Sequence, residues 1–208
     1  MFIGVYNLSV VLTYLGLCFS VIGMVLAFLG YVPAAVMCLI LSGVCDLFDG
    51  TVARACKRTE REKKFGIQID SLADTVSFGV FPVVLGICMG FTSTTNIIIY
   101  IIYVLAAVIR LAYFNVLAEE KKLLPKKTQE ACYYGLPVTS IAIILPFTYN
   151  LNIFLNAEVF SKAFPLVMFI VAILFVLNFK IKKPTGIWLV ICSVLAAIEI
   201  AIISVAMA

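Results

Sequence analysis

A chain of 208 residues that is 64% hydrophobic and only 12% charged does not read as a water-soluble globule, whose surface needs far more polar residues. It reads as an integral membrane protein with one domain over residues 1–208. The formal net charge of +4 gives no reason to expect a nucleic-acid partner, because the bases cluster between apolar runs.

Seven apolar stretches approach the length of about 20 residues that crosses ~30 Å of hydrocarbon. They lie near 9–29, 32–54, 67–91, 96–117, 134–152, 163–179 and 187–206. The pattern predicts an all-α, polytopic transmembrane helical bundle of about seven spans. Residues 1–8 read as a short interfacial lead-in. The first apolar run has neither a basic n-region nor a small-residue cleavage site, so it is expected to be a retained span. The fifth is interrupted by Pro137 and Pro146, which membrane helices tolerate. Seven cysteines (18, 38, 45, 56, 88, 132 and 192) fall mostly inside apolar runs, in no metal-ligand spacing, and read as small reduced hydrophobes. Glu199, deep in the last span, has no partner evident in the sequence.

Positive charge sets the expected orientation. Arg54, Lys57, Arg58, Arg61, Lys63 and Lys64 fall in one connection, Lys121, Lys122, Lys126 and Lys127 in another, and Lys180, Lys182 and Lys183 in a third. Thirteen of the 15 basic residues thus lie on one side, and the opposite connections hold only Lys162. That side is expected to be cytoplasmic, with 54–66, 118–130 and 180–186 inside and residue 208 outside. The chain is expected in the cell membrane as a multi-pass protein, and contact with anionic membrane lipids accounts for most of these charges.

Against this background four carboxylates stand out. On a helix, Asp46 and Asp49 (i,i+3) share one face, and so do Asp70 and Asp74 (i,i+4). Ionised groups at membrane depth are costly, so they are usually paired, turned inward and functional. With no His in the chain, the quartet points to an all-oxygen site for hard divalent cations, Mg²⁺ or Mn²⁺. Asp46 lies eight residues before Arg54, about 12 Å deeper along a helix, which recesses the site but leaves it open to cytosolic water. Two metal ions about 3.5–4 Å apart would suit phosphoryl transfer, and four carboxylates balance their charge. Gly50, Ala53 and Gly66 either let a substrate approach the backbone or serve close helix packing. Arg54 either binds a phosphate or marks topology.

The run Asp46-x-x-Asp49-Gly50-x-x-Ala53-Arg54, a spacer, then Gly66-x-x-x-Asp70-x-x-x-Asp74 resembles the signature of the CDP-alcohol phosphatidyltransferases, with all eight positions filled. The resemblance implies a six-span core, with the seventh span as a C-terminal extension, and a homodimer. It implies that Asp46, Asp49 and Asp70 are metal ligands for two ions. It also implies that Asp74 is the base that deprotonates the acceptor hydroxyl, with metal contact as a further role. Gly50, Ala53, Arg54 and Gly66 would bind CDP-diacylglycerol, whose β-phosphorus the hydroxyl attacks, releasing CMP.

Outside the signature, Asp74-Thr-Val-Ser77-Phe-Gly79, Arg110-Leu-Ala-Tyr-Phe-Asn115 and Gly135-Leu-Pro137 resemble the bacterial membrane-embedded phosphatidylserine synthases, as does the placement of Phe179-Lys-Ile-Lys-Lys-Pro184. That implies L-serine as acceptor, with Arg110 on its carboxylate and Asn115 helping to position it. Where that subfamily commonly reads Arg-Leu-Ala-Arg-Phe-Asn, this chain has Tyr113 in place of the second Arg, which argues against a phosphorylated acceptor. The rival readings are the same chemistry with glycerol 3-phosphate or an inositol species, and a divalent-cation transporter. A transporter would move metal without releasing CMP and has no use for Gly50, Ala53 and Arg54 at these spacings.

Overall fold

The computed structural model describes residues 4, 8–123, 132–182 and 186–207. Lys126, Lys127, Lys183, residue 208 and most of the 1–8 lead-in, each of which carried an expectation, lie outside the described residues. The chain is a polytopic helical bundle. Among the described residues, five helices are long and apolar enough to cross a membrane, and two shorter apolar helical segments, Val138–Ile153 and Ile191–Val205, bring the total to seven.

The first helical pair, α1 (Leu8–Phe28) and α2 (Val32–Ala55), turns on Gly30. Gly30 adopts φ +86, its N–H donates to the Ala27 carbonyl at 3.0 Å, and the Tyr31 N–H reaches back to Leu26 at 2.9 Å. This Schellman arrangement satisfies carbonyls that would otherwise be orphaned at a helix end in lipid. Pro33 then opens α2 where no N–H is needed.

The next span begins earlier than its apolar run suggested, at Glu60 rather than near 67. A capping box is the reason: the Glu62 N–H donates to Thr59 Oγ1 at 3.3 Å, and the Thr59 N–H donates to Glu62 Oε2 at 2.7 Å. The helix α3 (Glu60–Asp74) continues through a π-helical segment, Thr75–Val80, into α4 (Phe81–Cys88). Pro82 explains part of this irregularity. It supplies no N–H to the Phe78 carbonyl one turn back, and that carbonyl instead accepts the Tyr103 hydroxyl at 2.7 Å. The wider turn shows in the Phe81 N–H, which donates to Val76, five residues back.

A second Schellman turn at Gly90 (φ +86) leads to the long helix α5 (Thr94–Leu123). The expected fifth span, 134–152, starts differently. Its first residue belongs to a short strand β1 (Cys132–Tyr134), followed by a 3₁₀ turn (Val138–Ser140), α6 (Ile141–Asn150) and a second 3₁₀ turn (Leu151–Ile153). The sixth span, α7 (Ala157–Val176), begins six residues before the expected 163, because Asn156 caps it by accepting the Val159 N–H at 2.9 Å. After α7, β2 (Lys180–Lys182) pairs antiparallel with β1, Tyr133 opposite Ile181. The last helix is α8 (Gly186–Met207). The strand pairing holds the α5–α6 and α7–α8 connections together on one side of the bundle, as the charge pattern requires.

The packed core gathers Leu39, Phe78, Phe81, Leu85, Tyr103, Ile141 and Phe164 from α2 through α7. Large apolar side chains such as Phe28, Ile109 and Val205 are exposed on the outer faces, where lipid rather than water surrounds a span. Glu199 finds its partner only in three dimensions: Asn150 Nδ2 donates to Glu199 Oε2, joining the end of α6 to α8.

Candidate active site

The two acidic pairs lie on the last turns of α2 and α3, and α1 packs against both helices. Gly16 makes this close approach feasible, since a Cβ there would already stand 3.3 Å from Cys45 Cβ, next to Asp46. Below it, the Ser20 hydroxyl donates to Ser42 Oγ at 2.9 Å and ties α1 to α2. The face assignment holds: Phe48 and Leu72, which lie between the members of each acidic pair, are exposed on the outside.

Asp46, Asp49 and Asp70 each offer a carboxylate oxygen, and these oxygens lie within 4.8 Å of one another. Asp74 lines the same cavity, together with Thr13, Gly16, Ser42, Ser77 and Phe78. Asp46 stands within hydrogen-bonding reach of Asp74, and Asp49 of Asp70. Thr13 Oγ1 donates to Asp49 Oδ2 at 3.1 Å.

The donor set suits a hard divalent cation. It is all oxygen, and Asp70 Oδ1 is buried with no hydrogen-bond partner among the described residues. Among the described residues the salt bridges are Lys63–Glu60 and Lys162–Glu158, so no basic side chain pairs with the quartet. Converging carboxylates removed from water and left without a cation would be strongly unfavourable.

The other expected site residues do not line this cavity. Arg54 is exposed and donates from Nη2 to Thr51 Oγ1 at 3.0 Å, while its Nη1 lies 3.4 Å from where a Cβ on Gly50 would be. Gly66 has only Arg58 Nη1 near it, 3.7 Å from the corresponding position, and Ala53 is half-buried. Neither glycine is in tight contact with another helix, which disfavours the packing explanation for this pair. Arg110 is buried on α5, with its guanidinium 5.4 Å from the centre of the Phe114 ring. Its Nε lies 3.5 Å from where a Cβ on Gly135 would be, so two of the blocks noted in the sequence meet here. The Asn115 amide donates to Ser71 Oγ at 2.9 Å, beside Asp70.

Three hydroxyl-bearing cavity residues carried no role in the sequence reading. Ser77 lay in a block noted for its resemblance, but nothing marked its hydroxyl as cavity-lining. Thr13 and Ser42 are single hydroxyls in apolar helices and carry no local signal.

Residues 6–198 match the family model of the CDP-alcohol phosphatidyltransferases, and the chain belongs to that family. It is similar to a CDP-diacylglycerol–serine O-phosphatidyltransferase of Saccharomyces cerevisiae, 41% identical over 115 residues, which is 53% of this chain and 40% of the relative. The enzyme of that name from Mycobacterium leprae is 36% identical over 111 residues, 53% of this chain and 35% of the relative. An archaetidylserine synthase of Methanothermobacter thermautotrophicus is 30% identical over 159 residues, 76% of this chain and 61% of the relative. The chain thus spans less than half the length of the first two relatives and under two thirds of the third.

Proposed function

We propose that this protein transfers the phosphatidyl group of CDP-diacylglycerol to the hydroxyl of L-serine, forming phosphatidylserine and releasing CMP. The observation that carries the reading is the convergence of four carboxylates, spaced as in the family signature, in one cavity between α1, α2 and α3. The names of the relatives support serine as the acceptor. Asp46, Asp49 and Asp70 would hold two Mg²⁺ or Mn²⁺ ions, with Asp74 in the same cavity as a further candidate contact. When bound, the cations neutralise the pyrophosphate and orient it for in-line attack.

The chain's own groups do the rest. Asp74 takes the proton from the serine hydroxyl as its oxygen bonds to the β-phosphorus and the bond from phosphorus to the CMP oxygen breaks. Gly50 and Gly66 leave room for the nucleotide, Ala53 lies on the same approach, and Arg54 attracts phosphate. Asn115 beside Ser71 and Ala107 beside Gly79 set the register of α5 against α3 and the π-helical segment that follows it, which puts Arg110 at about the depth of Val76. That is two residues past Asp74, about 3 Å along the helix. A serine carboxylate on Arg110 would therefore keep its hydroxyl near Asp74, with Asn115 shaping the pocket. The reaction takes place in the cell membrane, with the site open to the cytoplasmic side where the bases collect, in a homodimer embedded among membrane lipids.

The test is purified protein with CDP-diacylglycerol, divalent metal and a panel of labelled alcohols, scored by CMP release and lipid product. Serine-dependent CMP release is expected. Turnover with glycerol 3-phosphate or an inositol species but not with serine would move the acceptor assignment, while metal flux in liposomes without CMP release would overturn the transferase itself. Within the serine reading, Arg110→Ala should raise the KM for serine about 10- to 100-fold and that for CDP-diacylglycerol far less, as expected for loss of a charge-assisted bond.

A further inference from the structure

Arg58 lies in the short connection between α2 and α3, among bases that topology alone would explain. Its surroundings set it apart from them. Arg61, Lys63 and Lys64 are exposed, and Lys63 pairs with Glu60 at 2.7 Å. Arg58 is half-buried, and its Nε is withdrawn from solvent with no hydrogen-bond partner among the described residues. Leaving a buried N–H of a charged group unsatisfied is costly, so the group calls for an acceptor that the described residues do not supply.

The position of this guanidinium limits what that acceptor is. Nη1 lies 3.7 Å from where a Cβ on Gly66 would stand, so the missing side chain leaves room beside it. Gly66 is four residues before Asp70 on the same face of α3, about 6 Å along the helix. The connection is held in place by the capping box, in which Glu62 engages both the N–H and the hydroxyl of Thr59, the residue after Arg58. A planar donor one turn outside a carboxylate group that suits cations matches a diphosphate. One phosphoryl group would lie at the Asp quartet and the next against the guanidinium.

We infer that Arg58 binds the phosphate that stays with the nucleotide, the one carried away on CMP, through the opening left by Gly66. The inference rests on the transferase reading above but not on serine as acceptor. A phosphodiester of an anionic lipid headgroup offers the same chemistry, and the experiment separates the two sources.

Binding of CMP and of cytidine, both with Mg²⁺, is measured calorimetrically on the full chain in neutral detergent and in nanodiscs with and without phosphatidylglycerol. Arg58→Ala and Arg58→Gln should weaken CMP about 10- to 100-fold in detergent, Arg58→Lys should recover only part, and cytidine should bind each variant as it binds the unaltered protein. In turnover, the same variants should raise the KM for CDP-diacylglycerol and leave that for the acceptor unchanged. Arg61→Ala should behave as the unaltered protein. Undiminished CMP affinity in both Arg58→Ala and Arg58→Gln would overturn the inference, as would a loss confined to nanodiscs containing phosphatidylglycerol, which would assign the guanidinium to lipid. If the unaltered protein binds no CMP at all, it is the transferase reading that fails, and this inference with it.

Discussion

Gly43 and Gly50 lie two turns apart on α2, yet their surroundings are opposite. A Cβ on Gly43 would stand 2.5 Å from Ala142 Cβ, well inside contact distance, whereas a Cβ on Gly50 would meet only an arginine nitrogen at 3.4 Å. Gly23, against Phe81, and Gly86, against Tyr100, repeat the first situation, and Gly66 repeats the second. The contrast divides the bundle. In the packed half, missing side chains bring backbones together, which is how membrane helices gain van der Waals contact without a hydrophobic driving force. Around the Asp quartet, Gly50 and Gly66 leave space unfilled with arginines at its edge, while Gly16 still serves the close approach of α1 to α2. Glycine in this chain therefore has two uses, and only the neighbours across the helix interface distinguish them.

The sharpest test of that division acts on the open half alone. Asp70→Asn removes a carboxylate from the candidate metal-binding group without changing its size. It is expected to reduce CMP release at saturating Mg²⁺ at least about 100-fold, since metal charge stabilisation is worth several kcal/mol. The thermal midpoint in detergent should stay unchanged or rise. Near-normal turnover would refute the assignment of Asp70 as a ligand. Thr13→Val asks whether α1 belongs to the site or only to its wall. Loss of the hydrogen bond to Asp49 should weaken Mg²⁺ or Mn²⁺ binding roughly 10- to 100-fold, as measured by metal-induced thermal stabilisation, while Thr13→Ser should restore it. Equal metal response in Thr13→Val and the unaltered protein would leave Thr13 a packing residue.

The glycines can be compared directly. Gly43→Val should destabilise the fold by about 1–3 kcal/mol through overpacking against Ala142 and lower the thermal midpoint. Gly50→Val should leave the midpoint nearly unchanged and act on the KM for CDP-diacylglycerol. The comparison breaks if both variants unfold alike. The smallest effect is expected for Tyr103→Phe, which leaves the Phe78 carbonyl without its donor beside the π-helical turn. A loss of about 1–2 kcal/mol is expected, seen as a lower midpoint, with the KM for metal unaffected.

Much of this protein is written in local order. Seven apolar runs follow from the thickness of a bilayer, and the pairing of Asp46 with Asp49 and of Asp70 with Asp74 follows from the helical repeat, which places i,i+3 and i,i+4 neighbours on one face whatever else the chain does. The grouping of the basic connections on one side follows from the parity of the spans. Helix starts were less legible, because Thr59 with Glu62 and Asn156 extend α3 and α7 beyond their apolar stretches.

What only the tertiary structure decided lies between helices. Thr13 reaches Asp49, Arg58 lies over Gly66, Asn115 holds Ser71, and Asn150 pairs with Glu199 across separations from 8 to 49 residues. The strand pairing of Cys132–Tyr134 with Lys180–Lys182 is of the same kind. These contacts depend on the depth and rotation at which one helix or connection meets another, and packed side chains from several spans set both together. A periodic pattern shows which face of a helix turns inward; it carries no record of what that face meets.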